Sequence, residues 1–324
     1  MSLHHLLQTR LVLVVALGLV AACASSGKQP DSNEKNAPMD TLVTAEWLSQ
    51  HLDDPDLVVL DCTVIVERDE NGLRELSGRS NYESGHIPGA GFADLMGNLS
   101  DADAPLPFTA PSPQEFAAAM GALGVGNDSR VVLYSTENQA WAARVWWMLR
   151  WIGFDNAALL DGGLNAWTAA GQPLSSEPVM RTARTLTPRV RPALIANRDE
   201  VLAAIDNDSV NLVDALPAPF YRGEMTMYAR PGHIATATNV PVTSLVDENG
   251  LYLPKDKLGE LLGVERDTRT ITYCGGGIAA SSVAFTMVRL GFTDVAVYDG
   301  SLREWAADPA NPMETSPDPE WPEE

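Results

Sequence analysis

The sequence predicts an α/β protein in which one folding unit is used twice, each copy a parallel sheet covered by helices on both faces. Three observations carry that prediction. A chain of 324 residues is long for one domain and natural for two, each able to bury a core. The chain also aligns with itself. His86 answers to His233, Val132-Leu133-Tyr134-Ser135 to Ile271-Thr272-Tyr273-Cys274, and Trp151-Ile152-Gly153-Phe154 to Arg289-Leu290-Gly291-Phe292. Asp161-Gly162-Gly163 with Trp167 answers to Asp299-Gly300-Ser301 with Trp305. Within each copy, short apolar runs alternate with helical stretches, the pattern of strands joined by crossover helices.

The elements follow in order. Residues 1–23 carry Arg10, the apolar run Leu11 to Val20 and then Ala21-Ala22-Cys23, the layout of a secretory signal. The run is too short for a comfortable membrane span. Val20-Ala21-Ala22-Cys23 resembles a bacterial lipobox; an ordinary cleavage site is the alternative. The resemblance implies a lipoprotein whose Cys23 is lipidated and becomes the mature N-terminus. The protein would then be exported and lipid-anchored in the cell envelope, with Ala24 pointing to the periplasmic side of the outer membrane. Residues 24–40 form a polar tether.

Residues 41–170 are the first copy, with strands Leu57 to Leu60, Val131 to Tyr134 and Ala157 to Leu160 and helices Ser112 to Leu123 and Ala140 to Leu149. Residues 171–195 hold Pro173, Pro178, Pro188 and Pro192 with little apolar periodicity and read as a linker. Residues 196–312 are the second copy, with strands Val210 to Val213, Thr270 to Tyr273 and Val295 to Tyr298 and a helix from Ala280 to Leu290. Asp308 to Glu324 is rich in Pro, Asp and Glu and is expected to be disordered, with 313–324 as an acidic tail.

Lys and Arg total 22 against 43 Asp and Glu, a formal charge of −21, which argues against nucleic acid and against a basic membrane patch. Any membrane contact would run through the N-terminal lipid alone. Beyond Cys23, the cysteines are Cys62, inside the apolar Leu57-Val58-Val59-Leu60-Asp61-Cys62, and Cys274. They lie in different copies, so a disulfide between them is not indicated. Cys62 is read as a small buried hydrophobe. A metal site lacks the Cys/His cluster it needs.

Cys274 opens the run Cys274-Gly275-Gly276-Gly277-Ile278-Ala279-Ala280-Ser281 directly after a strand and before a helix. A thiol there meets a helix N-terminus and several backbone amides, and glycines let those amides curl around a sulfur anion. Ligands of such sheets bind beyond the strand C-termini, where Cys274 falls.

On this loop, and on Gly85-His86-Ile87-Pro88-Gly89-Ala90 and Val297-Tyr298-Asp299-Gly300-Ser301-Leu302-Arg303-Glu304-Trp305, the chain resembles the rhodanese family of sulfurtransferases from about Thr41 to Pro312. The resemblance implies two tandem rhodanese-like domains. It also implies a ping-pong reaction in which Cys274 takes a sulfane sulfur from a small donor and passes it to a thiol or cyanide acceptor. The amides of Gly275, Gly276, Gly277, Ile278, Ala279 and Ala280 would stabilise the persulfide, with no metal or other cofactor. Ser135 stands where the first copy would need a cysteine, so that copy is expected to be catalytically silent. Its helix around Arg144 to Arg150 would then wall the site.

Relatives that use thiosulfate place basic residues after the cysteine, and relatives that use 3-mercaptopyruvate place a glycine and then a hydroxyl. Gly275-Gly276 leans toward the second group but lacks the hydroxyl. The aspartate of their relay falls at Ser77 in an ungapped reading, which leaves His86. Arg230 and Arg222, near His233, are the candidate clamps for an anionic donor, Arg230 ahead of Arg222. The family's arginine position is Phe220 here, and Leu216 stands where relatives often carry arginine. His233 is read as structural.

Two rival readings of Cys274 remain. A Cys-dependent phosphatase needs an arginine six residues after the cysteine, where this chain has Ala280. A non-enzymatic envelope module that binds sulfur or senses thiols through Cys274 is the reading from another class.

Overall fold

The computed structural model describes residues 39–69 and 72–316. Cys23 with its leader, most of the tether and the tail from 317 lie outside the described residues. The first copy holds β1 (Leu42–Val43), β2 (Leu57–Asp61), β3 (Val64–Asp69), β4 (Gly72–Ser77), β5 (Gly91–Phe92), β6 (Arg130–Tyr134) and β7 (Ala157–Leu160). Its helices are α1 (Ala45–His51), α2 (Arg79–Ser84), α3 (Pro113–Ala122), α4 (Ala140–Trp151) and α5 (Gly163–Ala169). The second copy holds β8 (Ile195–Ala196), β9 (Val210–Asp214), β10 (His233–Ile234), β11 (Thr238–Asn239), β12 (Arg269–Tyr273), β13 (Val295–Tyr298) and β14 (Met313–Glu314). Its helices are α6 (Arg198–Ile205), α7 (Ala218–Tyr221), α8 (Lys255–Leu262), α9 (Ile278–Arg289) and α10 (Ser301–Trp305).

Each copy builds a five-stranded parallel sheet, ordered β1-β7-β6-β2-β5 in the first and β8-β13-β12-β9-β11 in the second. The two orders are the same once each strand is matched to its repeat. β2 and β6 are buried apolar runs, as a sheet covered on both faces requires. Their alternation assigns the faces. Leu57, Val59, Val132 and Tyr134 join a core with Leu48, Ile87 and Trp167, whereas Val58, Leu60, Val131 and Leu133 face α3 and α4.

That second core runs on without a break into the second copy, because α4 packs on α9. Trp146 meets Phe285 edge-on at 4.9 Å, a contact worth about 0.5–1.5 kcal/mol beyond its buried area. Local signals fix where helices begin. Ser112 and Glu115 form a capping box on α3 with Pro113 in its first turn, and Asn197 and Glu200 do the same for α6.

Two expectations are corrected. The chain from Asp308 is ordered through residue 316: β14 pairs with β10, and Pro312 O accepts from Trp305 Nε1 at 3.0 Å and from Ala235 N at 3.3 Å. These backbone bonds give a polar segment the enthalpy its side chains lack. The second correction is an element the sequence reading left out, the antiparallel hairpin β3–β4. The linker, meanwhile, is laid along the first copy, with Ser175 bridging His86 and with Arg184 N bonded to Gly121 O at 2.9 Å.

Candidate active site

Cys274 directly follows β12, the middle strand of its sheet, and is 2% exposed. The helix after it begins at Ile278, two residues earlier than expected, so the connecting loop is the three glycines alone. The start of α10 holds this loop in place. Leu302 N donates to Cys274 O and Arg303 N to Gly275 O, both at 3.0 Å. Ser301 sits in the left-handed region with φ 48°, a strain of order 1–3 kcal/mol for a residue with a side chain. Its hydroxyl donates to Tyr298 O at 2.7 Å and accepts from Cys274 N and Gly277 N at 3.1 Å each.

The expectation that every amide from Gly275 to Ala280 serves the sulfur is therefore corrected, since Gly277 N is committed to Ser301. The amides of Gly275, Gly276, Ile278, Ala279 and Ala280 have no acceptor among the described residues. An anion at the loop is what they could accept.

The three glycines answer to three different neighbours. Gly277 has φ 78°, and a Cβ on it would stand 3.0 Å from Arg144 Nη1 and 3.3 Å from Asp299 Oδ1. A Cβ on Gly275 would overlap the Tyr228 hydroxyl, and one on Gly276 would lie 3.4 Å from Arg303 Nη1. Positive φ thus explains Gly277 and close approach Gly275, while a Cβ on Gly276 would be in ordinary contact. Burial, and after it the charge on Cys274, raises the Tyr228 phenol far above its ordinary pKa, so it remains a neutral donor.

Elements of the first copy complete the site. Arg144 of α4 is fully buried, bonds Phe108 O through Nη2 at 2.9 Å and forms an ion pair with Asp299 through the same nitrogen. Its Nε and Nη1 have no hydrogen-bond partner. Asp299 Oδ2 accepts from Ala110 N at 2.9 Å. The matching Asp161 of the first copy accepts from Tyr252 N, also at 2.9 Å, so each copy clamps the other. From β4, Glu75 reaches Arg303 Nη2 at 2.7 Å. This carboxylate lies two residues before Ser77 and pairs with Arg303, whereas His86 is held by Tyr82.

Several predicted residues have other duties. Arg230 donates from all three nitrogens to the carbonyls of Trp305, Ala306, Asp308 and Asn311, stapling the chain after α10. Arg222 pairs with Glu224 at 2.6 Å. His86 Nδ1 meets Tyr82 O at 2.7 Å with its ring stacked on Tyr82 at 4.2 Å, and His233 repeats this on Tyr221 at 2.7 Å and 3.7 Å. His86 also lines a depression with Arg79, Phe92 and Arg181 that contains no residue of the Cys274 loop. For Arg230, Arg222 and His86 these are corrections: adjacency to a motif in sequence does not give a side chain its direction. Cys62 and Cys274 are both free and buried, and burial raises the Cys62 thiol well above its usual range. Missed by sequence reasoning were Arg303, inside the quoted 297–305 run, and Glu75 and Tyr228, which only the tertiary fold brings to the loop, whereas Arg144 lies on the helix expected to wall it.

Comparison with known proteins agrees with this geometry. The family model of the rhodanese-like domain matches residues 44–170 and again 197–308. The chain is 35% identical over 280 residues to the 3-mercaptopyruvate sulfurtransferase of Escherichia coli, covering 84% of this chain and 97% of that protein. It is 31% identical to the human 3-mercaptopyruvate sulfurtransferase over 276 residues, covering 82% of this chain and 91% of that one. The crystal structure of the Escherichia coli enzyme superposes with a TM-score of 0.73 at 34% identity, covering 81% of this chain and 99% of that one. Matched twice along its length by the family model and over more than four-fifths of it by these enzymes, the chain belongs to the rhodanese family, as a sulfurtransferase of two tandem rhodanese-like domains.

Proposed function

We propose that this sulfurtransferase takes its sulfur from 3-mercaptopyruvate or thiosulfate and carries it as a persulfide on Cys274. The observation that supports this most directly is the position of Cys274 at the end of the central strand, first in a loop with uncommitted amides. The Cys274 thiolate attacks the donor sulfur, and an S–S bond forms as the donor's C–S or S–S bond breaks. The bonding pair departs with the pyruvate enolate, which takes up a proton, or with sulfite. An acceptor then attacks the outer sulfur; with cyanide the product is thiocyanate, and the S–S pair returns to Cys274 as thiolate. The loop amides hold the persulfide anion without reorganising. No cofactor enters these steps.

The first copy is silent in this reading. The Ser135 hydroxyl donates to Asn138 O at 2.6 Å, and Asn138 Oδ1 takes Ala140 N at 3.0 Å, so side chains fill the place of the glycine loop. We place the protein on a lipid anchor at Cys23, facing the periplasm, on the strength of Val20-Ala21-Ala22-Cys23. Palmitate labelling in cells tests this, and label that survives Cys23→Ser would sink it. For the reaction, the purified full chain in mild detergent is assayed for thiocyanate with each donor. Turnover that disappears in Cys274→Ser is the expected result; turnover that persists there removes Cys274 from the mechanism.

A further inference from the structure

The arginines near His233 do not serve the loop, yet a guanidinium stands over it. Arg303 is held at its backbone by Gly275 O and at its Nη2 by Glu75, and its guanidinium lies 5.9 Å over the Phe108 ring. Nη1 is left over Gly276 with no acceptor among the described residues. The Arg303 and Glu75 side chains are 25% and 30% exposed, so the pair borders the site without being sealed inside it. Arg144 differs, being fully buried on Asp299.

We propose that Arg303 anchors the negatively charged group of the sulfur donor, a carboxylate or a sulfonate, and that Glu75 holds the guanidinium in place until the donor arrives. This rests on the sulfurtransferase reading above and specifies how its donor is held. Three points carry it. A small anion approaching a chain of formal charge −21 needs a local positive charge, and Arg303 is the partly open cation beside the loop. Gly276 lies two residues from Cys274, within about 7 Å along the chain, the reach of a three-carbon acid whose sulfur sits at Cys274. Finally, Arg303 faces Gly276 closely: a Cβ there would stand 3.4 Å from Nη1, so a side chain would occupy space beside the guanidinium that glycine leaves open. α10 therefore supplies over Gly276 a charge that the loop itself lacks.

The full chain is assayed by ping-pong kinetics, which read the donor and acceptor halves separately. Arg303→Met, which keeps an apolar stem beside Phe108, is expected to lower kcat/KM for the donor by about 10–100-fold, the size of a charge-assisted hydrogen bond. The fall in kcat/KM for cyanide is far smaller. Arg303→Lys restores part of the loss, and Glu75→Gln, which frees the fork, raises the donor kcat/KM. Equal losses in both halves, or none, would overturn the anchor.

A second measurement needs no turnover. Alkylation of Cys274 by iodoacetamide is followed with pyruvate or methanesulfonate present. Protection in the parent chain that vanishes in Arg303→Met supports the anchor, and the more protective anion identifies carboxylate or sulfonate. No protection in the parent, or equal protection in the variant, refutes it. A parent chain that makes no thiocyanate yet shows Arg303-dependent protection defeats the sulfurtransferase reading alone.

Discussion

The loops after β6 and β12 occupy the same place in two copies of one sheet, and they solve the same corner in opposite ways. After β6, Ser135 bonds Asn138 O, Asn138 Oδ1 takes Ala140 N, and Gln139 fills the remaining space. The left-handed corner opposite is Gly163, φ 55°, where a Cβ would run into Gln139 and Ser135 O. After β12 the loop has no side chains, and the corner is Ser301, φ 48°, whose hydroxyl takes Cys274 N and Gly277 N. One loop is closed from within and the other is braced from outside. The difference teaches that an anion-ready loop needs its own side chains removed and its support moved to a neighbouring element.

The sharpest attempt to break this comparison exchanges the nucleophile. Cys274→Ser is expected to abolish thiocyanate formation, a loss of at least about a thousandfold. Ser135→Cys in that background is expected to restore nothing, because the Asn138 and Gln139 side chains occupy the first loop's corner; recovered turnover would show that the brace is dispensable. Next in size is Arg144→Met, which leaves Asp299 without its cation at a buried interface. About 3–5 kcal/mol of stability should be lost in urea titrations, and a loss within error would mean the interface does not depend on the pair.

Asp214 gives a pH test. Burial raises its pKa from 3.8 to about 7, its Oδ1 accepting from Leu216 N and its Oδ2 unpartnered. The folded state therefore binds the proton more tightly than the unfolded one. The group's contribution is fully present below about pH 4, is lost as pH rises toward about 7, and is flat above. Asp214→Asn should remove a fall of order 2–4 kcal/mol across that window; parallel pH profiles for the two chains would exclude it.

The smallest effects separate the two roles of Ser301. Ser301→Ala orphans two amides and should cost about 1–3 kcal/mol. Ser301→Gly orphans them too but releases the left-handed strain, and should be the milder by about 1 kcal/mol. If the alanine variant proves the more stable, the strain argument fails.

Much of this was legible in the sequence. The strands of the repeat fall within one residue of their expected ends, because buried parallel strands are continuous apolar runs bounded by turns. The hairpin β3–β4 escaped because its apolar residues are few and do not alternate: Val64 alone enters the core, and Val66 is exposed. Cys274 was legible because the local loop carries its chemistry. Arg303 and Glu75 were not, since their meeting joins elements 228 positions apart. The repeat did contain one unused clue: a histidine held the same way in both copies, His86 and His233, is a structural device.

The paired clamps of Asp161 on Tyr252 and Asp299 on Ala110 have an evolutionary consequence. Once a duplicated domain lends an arginine to its twin's loop and shares its core, the two copies depend on each other for stability. Losing the domain itself would undo the other. Duplication here acts as a ratchet: two copies that share a core and an ion pair across it are selected as one gene product that cannot be shortened.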